Sequence, residues 1–148
     1  MNYPPAVDPS KVGTYPADAY AGGGYVWDAV LEYRVWCRPE EGAAAAGDGS
    51  DYFHAFATFE EADRFARAHK GADKPLALIV QEEYIDEPAP GHYVHVRSRR
   101  ITEWAVEFLS RPPRTSRTIP NFLSPSAPPN RLDILRGKAK PPNGDRGY

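Results

Sequence analysis

The chain has 148 residues, of which 41% are hydrophobic and 26% are charged, and its formal net charge is −2. This length predicts a single domain, and one cysteine, Cys37, excludes an internal disulfide framework and fits a reducing compartment. No apolar run approaches the roughly 20 residues that span a bilayer. The stretch from Met1 to Tyr20 lacks the basic and apolar regions of a secretory signal, so we expect a cytoplasmic protein without membrane contact.

Charge and proline are distributed unevenly along the chain. Residues 1–90 hold 7 Lys/Arg against 16 Asp/Glu, whereas residues 91–148 hold 11 against 4. Eight of the sixteen prolines follow Ser110, and four more precede Ala17. An acidic body followed by a basic, proline-rich tail indicates contact with an oppositely charged surface, which could belong to the protein itself, to a partner or to a polyanion.

The amino-terminal part predicts an extended arm followed by a strand. Residues 1–24 end in three glycines, which restrict the backbone little and suggest a hinge. From Tyr25 to Arg38 the odd positions are apolar and the even positions are mostly polar, so we expect a strand with one buried and one largely wet face. Val30 and Trp36 interrupt the polar face, so we expect part of it to be covered too. Pro39 ends this strand, and the glycine- and alanine-rich residues 40–51 predict a loop.

The rest of the core, within residues 25–110, predicts one helix and further strands. Thr58 and Glu61 form a capping box that begins a helix running to about His69, after a short strand at 52–57. A buried strand is expected over 76–85, and residues 92–109 predict either two hairpin-connected strands or one long bulged strand. The predicted fold class is therefore α+β, with a two-layer, mainly antiparallel sheet, one covering helix and extended terminal arms.

Residues 111–148 form the basic, proline-rich carboxy-terminal tail. The proline density excludes regular strands and helices, apart from a short helix that is predicted from Arg131 to Arg136, and residues 138–148 are expected to be disordered. Apolar residues between the prolines indicate a segment that docks in a groove, on its own domain or on a partner, and prolines reduce the entropy lost on docking. The predicted partner-binding residues are Arg111, Arg114, Arg117, Ile119, Phe122, Leu123, Leu132 and Leu135.

Two candidate chemistries involve cysteine and histidine. Cys37 lies on the apolar face of the predicted strand, which favours a buried structural thiol over a nucleophile. His92 and His95 are three residues apart on a predicted strand and would point to opposite faces. Two ligands cannot converge in that geometry, so we expect no metal site.

Charged clusters offer two further candidates. Glu82, Glu83, Asp86 and Glu87 could supply a general acid and base, but a solvated strand end is the simpler interpretation, and Glu83 is the residue to test. A basic concentration is formed by Arg97, Arg99, Arg100, Arg111, Arg114 and Arg117. Nucleic-acid binding would require stacking aromatics among these arginines. The strand pattern assigns Trp104 and Phe108 to the core instead, so we expect the arginines to meet an acidic surface of this protein or of a partner.

Three stretches resemble a family of small, uncharacterised bacterial proteins that are sometimes labelled as acetyltransferases of the GNAT superfamily. These stretches are 25–37, 75–81 and 130–137. The resemblance implies an acetyl-CoA site with an Arg/Gln-x-x-Gly-x-Gly/Ala loop that opens a helix. Gly22 and Gly24 supply a Gly-x-Gly, but Ala19 occupies the Arg/Gln position. The helix beginning after Thr58 opens with two acids, which repel phosphate.

The sequence thus favours a small cytoplasmic protein-binding module that uses its basic, apolar-anchored tail to bind a protein partner or a second copy of itself. It shows no catalytic constellation and no evident cofactor. The alternative is an N-acetyltransferase of the GNAT type that uses acetyl-CoA.

Overall fold

The structure is a computed structural model that describes residues 2–141. Within these residues the strands are β1 (Tyr20–Ala21), β2 (Ala29–Cys37), β3 (Tyr52–Phe56), β4 (Leu76–Gln81), β5 (Tyr84–Ala89), β6 (His92–Val96) and β7 (Arg100–Ala105). The α-helices of the same part are α1 (Phe59–Ala68), α2 (Thr118–Leu123) and α3 (Arg131–Leu135). Short 3-10 helices lie at Pro9–Lys11, Pro39–Glu41 and Val106–Ser110.

Five of these strands form the main sheet in the order β1-β7-β4-β2-β3, and β5 and β6 form a separate two-stranded sheet. All neighbouring strands of the main sheet are antiparallel except β1 and β7, which are parallel. The helix α1 packs on one face of this sheet. The predicted α+β class, with a mainly antiparallel sheet and one covering helix, is confirmed. Within residues 2–141 no helix is long and apolar enough to cross a bilayer.

The strand β2 is buried on both faces, so the predicted wet face is wrong. Glu32 and Arg34 point away from α1, yet both are fully buried. Arg34 pairs with Glu32 at 2.8 Å and donates to the carbonyls of Pro16 and Ala17 at 2.6 and 3.2 Å. The amino-terminal arm therefore covers this face and satisfies its charges, which a buried ion pair requires. A β-bulge between Val30 and Glu32 also interrupts the predicted alternation. Val30 packs in the cluster of Tyr33, whereas Leu31 packs in another cluster.

The helix α1 begins where the capping box predicted. Thr58 Oγ1 accepts the Glu61 amide at 3.2 Å, which satisfies one free donor of the first turn. The Thr58 hydroxyl also lies 2.9 Å from a Glu61 carboxylate oxygen, so Glu61 engages the side chain of Thr58. Ala62 is the fully buried residue of α1, and Phe59 and Phe65 of the same helix pack beside it against the sheet.

The two long predicted strands of the second half are each divided between sheets. The run from 76 to 85 ends as β4 at Gln81, and Tyr84 starts β5 in the small sheet. The segment after His92 likewise divides into β6 and β7, which do not pair with each other. The hairpin or bulged-strand prediction is therefore wrong, because residues 97–99 cross from one sheet to the other.

The carboxy-terminal segment, residues 111–141, packs on the domain as far as the structure describes it. Ile119, Phe122 and Leu135 are buried together with Val26 and Ile85 in a second hydrophobic cluster. The exclusion of further regular helices from this segment is wrong, because α2 forms although it contains Pro120. Proline is tolerated there since amides of the first turn have no helical partner. The predicted helix at 131–136 is confirmed as α3; residues 142–148 of the predicted tail lie outside the described residues.

Candidate functional site

The glycines before β2 form an unusual loop, which we call the glycine loop and define as residues 22–25. Gly22, Gly23 and Gly24 have φ values of +74°, +82° and +84°, and Tyr25 follows at +67°. Glycine adopts this region at little cost, whereas a side chain such as that of Tyr25 does not. A non-glycine residue is held there only when its surroundings impose it, and such strain is common at binding sites.

Side chains of the main sheet hold the glycine loop. The buried Gln81 amide donates to the carbonyls of Gly23 and Val26 at 3.0 and 2.8 Å. The indole Nε1 of Trp104 also donates to the Gly23 carbonyl, at 3.0 Å. The loop is therefore a fixed turn with defined partners, which corrects its prediction as a hinge.

A pocket of about 200 Å³ opens between the glycine loop, the end of β7 and the carboxy-terminal segment. We call it the aromatic pocket; its lining residues are Gly23, Tyr25, Trp104, Phe108, Arg111 and Arg136. An apolar cavity of roughly 150 Å³ is large enough to bind benzene, so the aromatic pocket has room for one ring-sized group. Phe108 remains 55% exposed at this pocket.

Two arginines give the aromatic pocket a positive character. The guanidinium of Arg136 lies 5.5 Å from the ring centre of Tyr25. Arg111 is buried, donating to the Leu135 carbonyl at 2.7 Å and to Thr118 Oγ1 at 3.3 Å. Burial lowers the pKa of Arg111 to about 10, so its guanidinium is still charged at neutral pH.

Tyr25 contributes a neutral phenol to the aromatic pocket. Its hydroxyl donates to the carboxylate of Glu87. Burial, and then this carboxylate, raise the pKa of Tyr25 to about 12. Glu87 also accepts the Gly91 amide at 2.8 Å, and hydrogen bonds from Tyr25 and Gly91 hold the pKa of Glu87 below its usual range. Both oxygens of Glu87 are thus engaged, and Tyr25 supplies apolar ring surface.

The predicted partner-binding residues fall into three environments. Arg111, Ile119, Phe122 and Leu135 are buried in the domain, and Leu123 and Leu132 are partly buried against the same cluster. Arg114 is partly buried and Arg117 is exposed. Of the two alternatives left open by the sequence, the structure has the apolar residues packed on their own domain. Contact of these side chains with a partner stays a prediction, and it would require this segment to leave the domain.

Some of the basic residues meet the acidic body of the same protein, as expected. Arg114 Nε lies 3.0 Å from Asp28 Oδ1, and its NH1 lies 3.6 Å from Glu83 Oε2. Glu83, the acidic residue singled out for testing, is also 2.6 Å from His95 Nε2. Glu83 therefore takes part in an ion pair with Arg114 that fastens the carboxy-terminal segment. Arg99 pairs with Glu82 at 3.0 Å on the surface.

The cysteine lies in the setting of a structural thiol. Cys37 is 3% exposed, and burial, followed by the charge of Asp73, raises its pKa. A raised pKa lowers the thiolate fraction on which nucleophilic chemistry depends. Within the described residues no group of three or more histidine, cysteine, aspartate or glutamate side chains is placed to hold a metal ion.

The sequence pattern missed the aromatic pocket for a local reason. Trp104 and Phe108 were placed together on the buried face of one strand, but β7 ends at Ala105 and a 3-10 helix follows. Trp104 is buried as expected. Phe108 is exposed instead, because the chain changes after Ala105 from the strand period of two to the period of a 3-10 helix. The one sequence signal was the run of three glycines directly before an aromatic residue.

Comparison with known proteins adds no family or relative, since no family model, no curated protein and no solved structure matches this chain.

Proposed function

We propose that this protein is a binding module without catalytic activity, and that it binds a protein partner by accepting a large apolar or aromatic side chain in the aromatic pocket. The observation that carries the proposal is the exposure of Phe108 beside Trp104, Tyr25 and Arg136 at a concave site. Trp, Tyr and Arg are the residue types that most often dominate binding energy at protein interfaces.

The basic tail keeps a role in this proposal, although a different one from that predicted. Its apolar residues pack the carboxy-terminal segment onto the domain, and this brings Arg111 and Arg136 to the pocket wall. The segment thereby supplies the positive charge of the site, which favours a partner whose contacting segment is acidic.

Affinity capture from a lysate of the source cells, followed by mass spectrometry, tests the proposal. Wild type and three variants are used as bait: Phe108→Ala and Arg136→Gln in the pocket, and Val7→Ala as the control. Val7 is 64% exposed and does not line the pocket. We expect proteins that wild type and Val7→Ala retain and that both pocket variants lose. The same captured set with all four baits would refute the proposal.

The acyltransferase alternative stays a prediction, which a thermal shift measurement tests. A ligand at one hundred times its Kd stabilises a protein by roughly 2.7 kcal/mol. Acetyl-CoA at millimolar concentration should therefore raise the melting temperature if this chain binds it. An unchanged melting temperature would remove the alternative.

A further inference from the structure

Arg100, the first residue of β7, lies beside the glycine loop with its guanidinium held in a fixed plane. The guanidinium carbon lies 4.8 Å from the ring centre of Tyr20 and 4.1 Å from that of Tyr84. Its Nε donates to Gln81 Oε1 at 2.7 Å. An arginine fixed in this way loses less conformational entropy when it binds an oxyanion.

The free end of Arg100 has no acidic partner among residues 2–141. Arg34, Arg38 and Arg114 each lie within 4 Å of carboxylates, but Arg100 has no carboxylate at that distance in the described part of the chain. Only its Nε takes part in a hydrogen bond there. The terminal nitrogens, which form the fork that recognises carboxylates, therefore remain available for an incoming anion.

Arg100 lies close to the aromatic pocket in space, because Gly23 is next to both. Gly23 lines the pocket, and its carbonyl accepts the Trp104 indole at 3.0 Å. A Cβ placed on Gly23 would lie 3.3 Å from Arg100 Nη2. Gly23 and Tyr25 line both the aromatic pocket and a neighbouring cleft that Arg100 also lines, so the two binding elements adjoin and one short extended peptide can reach both.

The surrounding charges favour a peptide with one acidic group over a polyanion. Arg100 lines two clefts, of about 590 and 350 Å³; the first also carries Asp18 and Arg99, and the second carries Asp86 and Glu87. A chain with a negative charge on every unit would be repelled by these carboxylates along its length, whereas a single acid placed at the Arg100 guanidinium would be repelled less.

From this arrangement we propose that Arg100 is a specificity-determining residue, which binds an aspartate or glutamate side chain close in sequence to the residue that enters the aromatic pocket. The inference rests on the proposed function, because it assigns the second contact of the same partner peptide. It names the partner's chemistry: an extended segment with one large apolar or aromatic residue and one nearby acid.

Selection from a library of random heptapeptides displayed on phage tests this proposal directly. The baits are the wild-type chain, Phe108→Ala, Arg100→Gln and, as a charge-matched control, Arg97→Gln. Arg97 is exposed in the connection between β6 and β7, and it lines neither the pocket nor the two clefts. Circular dichroism melting of each bait establishes that it is folded before selection.

We expect wild type and Arg97→Gln to enrich peptides that hold an aromatic residue and an acid at a fixed, short spacing. Arg100→Gln should keep the aromatic preference and lose the acidic one. A synthetic peptide of the selected sequence should bind this variant roughly fivefold to tenfold more weakly, the effect of losing a charge-assisted hydrogen bond at a partly exposed site. Arg100→Lys should give an intermediate loss, because lysine keeps the charge but not the planar fork.

The outcomes separate the two proposals. Enrichment of aromatics without an acid, or an acidic preference that Arg100→Gln retains, overturns the role of Arg100 and leaves the pocket function standing. Enrichment that Phe108→Ala does not alter, or no enrichment with wild type, overturns the pocket function and this inference together.

Discussion

A single methyl group at Gly24 should destabilise the protein far more than the same change at Gly22. Both glycines have positive φ, +84° and +74°, so alanine is strained at either position. A Cβ at Gly24, however, would lie within 2.8 Å of three atoms of the Gln81 amide, whereas a Cβ at Gly22 meets nothing within 4 Å. Comparing the two alanine variants therefore separates the free-energy cost of the strained backbone from the cost of displacing Gln81.

The magnitude follows from the contacts of Gln81. The left-handed conformation costs an alanine roughly 1–2 kcal/mol at both sites. At Gly24 the buried Gln81 must also move, and its amide makes four hydrogen bonds, to Gly23, Val26, Arg100 and Thr102. Losing two of these adds about 2–3 kcal/mol. We expect a free-energy loss of roughly 3–5 kcal/mol for Gly24→Ala, against roughly 1–2 kcal/mol for Gly22→Ala.

Equilibrium unfolding in urea measures both losses, provided that the slope with denaturant is the same for the variants and wild type. Gly22→Ala is the matched control, because it adds the same atom to the same loop. Equal destabilisation by the two variants would contradict the reasoning, since it would mean that Gln81 does not hold the glycine loop in solution.

Three further measurements test the core, the thiol and the phenol. Phe122→Ala should lower the free energy of unfolding by roughly 3–5 kcal/mol, and the melting temperature by roughly 6–20 °C, because Phe122 is fully buried. Phe108→Ala, at an exposed ring, is the control and should change the free energy of unfolding little. Similar losses of stability in the two variants would show that the carboxy-terminal segment does not pack as described. The Cys37 thiol, whose pKa is raised by burial, should react with iodoacetamide in the native protein much more slowly than in urea; equal rates would refute its burial. Burial also raises the pKa of Tyr33, but ultraviolet titration should find a component near pH 12 that belongs to Tyr25, and replacement of Tyr25 by phenylalanine should remove that component. Because the folded pKa of Tyr25 lies above its unfolded value of 10.0, its contribution to stability is complete below pH 10 and is lost as pH rises towards 12. If replacing Tyr25 by phenylalanine left the titration unchanged, the contact of Tyr25 with Glu87 would be contradicted.

Several local elements of this protein are determined by the sequence alone. The capping residue Thr58 begins α1 where predicted, because a cap depends on groups only three residues apart. The alternating residues of β2 and the apolar run of β4 predict two central strands, although not the bulge within β2. The short helix α3 was also predicted from its own residues.

Long-range contacts decided the rest. The burial of Glu32 and Arg34 depends on the amino-terminal arm, which no periodicity within β2 can reveal. The glycine loop is fixed by Gln81 and Trp104, which lie 58 and 81 residues from Gly23 in the chain. Pairings at such separations are set by packing and hydrogen bonding of the whole domain, and not by local propensity.

The candidate site belongs to this second category. Phe108 faces the pocket because the chain leaves the sheet at Ala105, and Arg136 reaches the pocket because a hydrophobic cluster draws the carboxy-terminal segment onto the domain. The sequence shows which residues are aromatic, basic or apolar, and this was enough to expect a basic segment with apolar contacts. Only the tertiary structure decides which of these residues are buried in the core and which remain at the surface, because burial depends on partners that are distant in the chain.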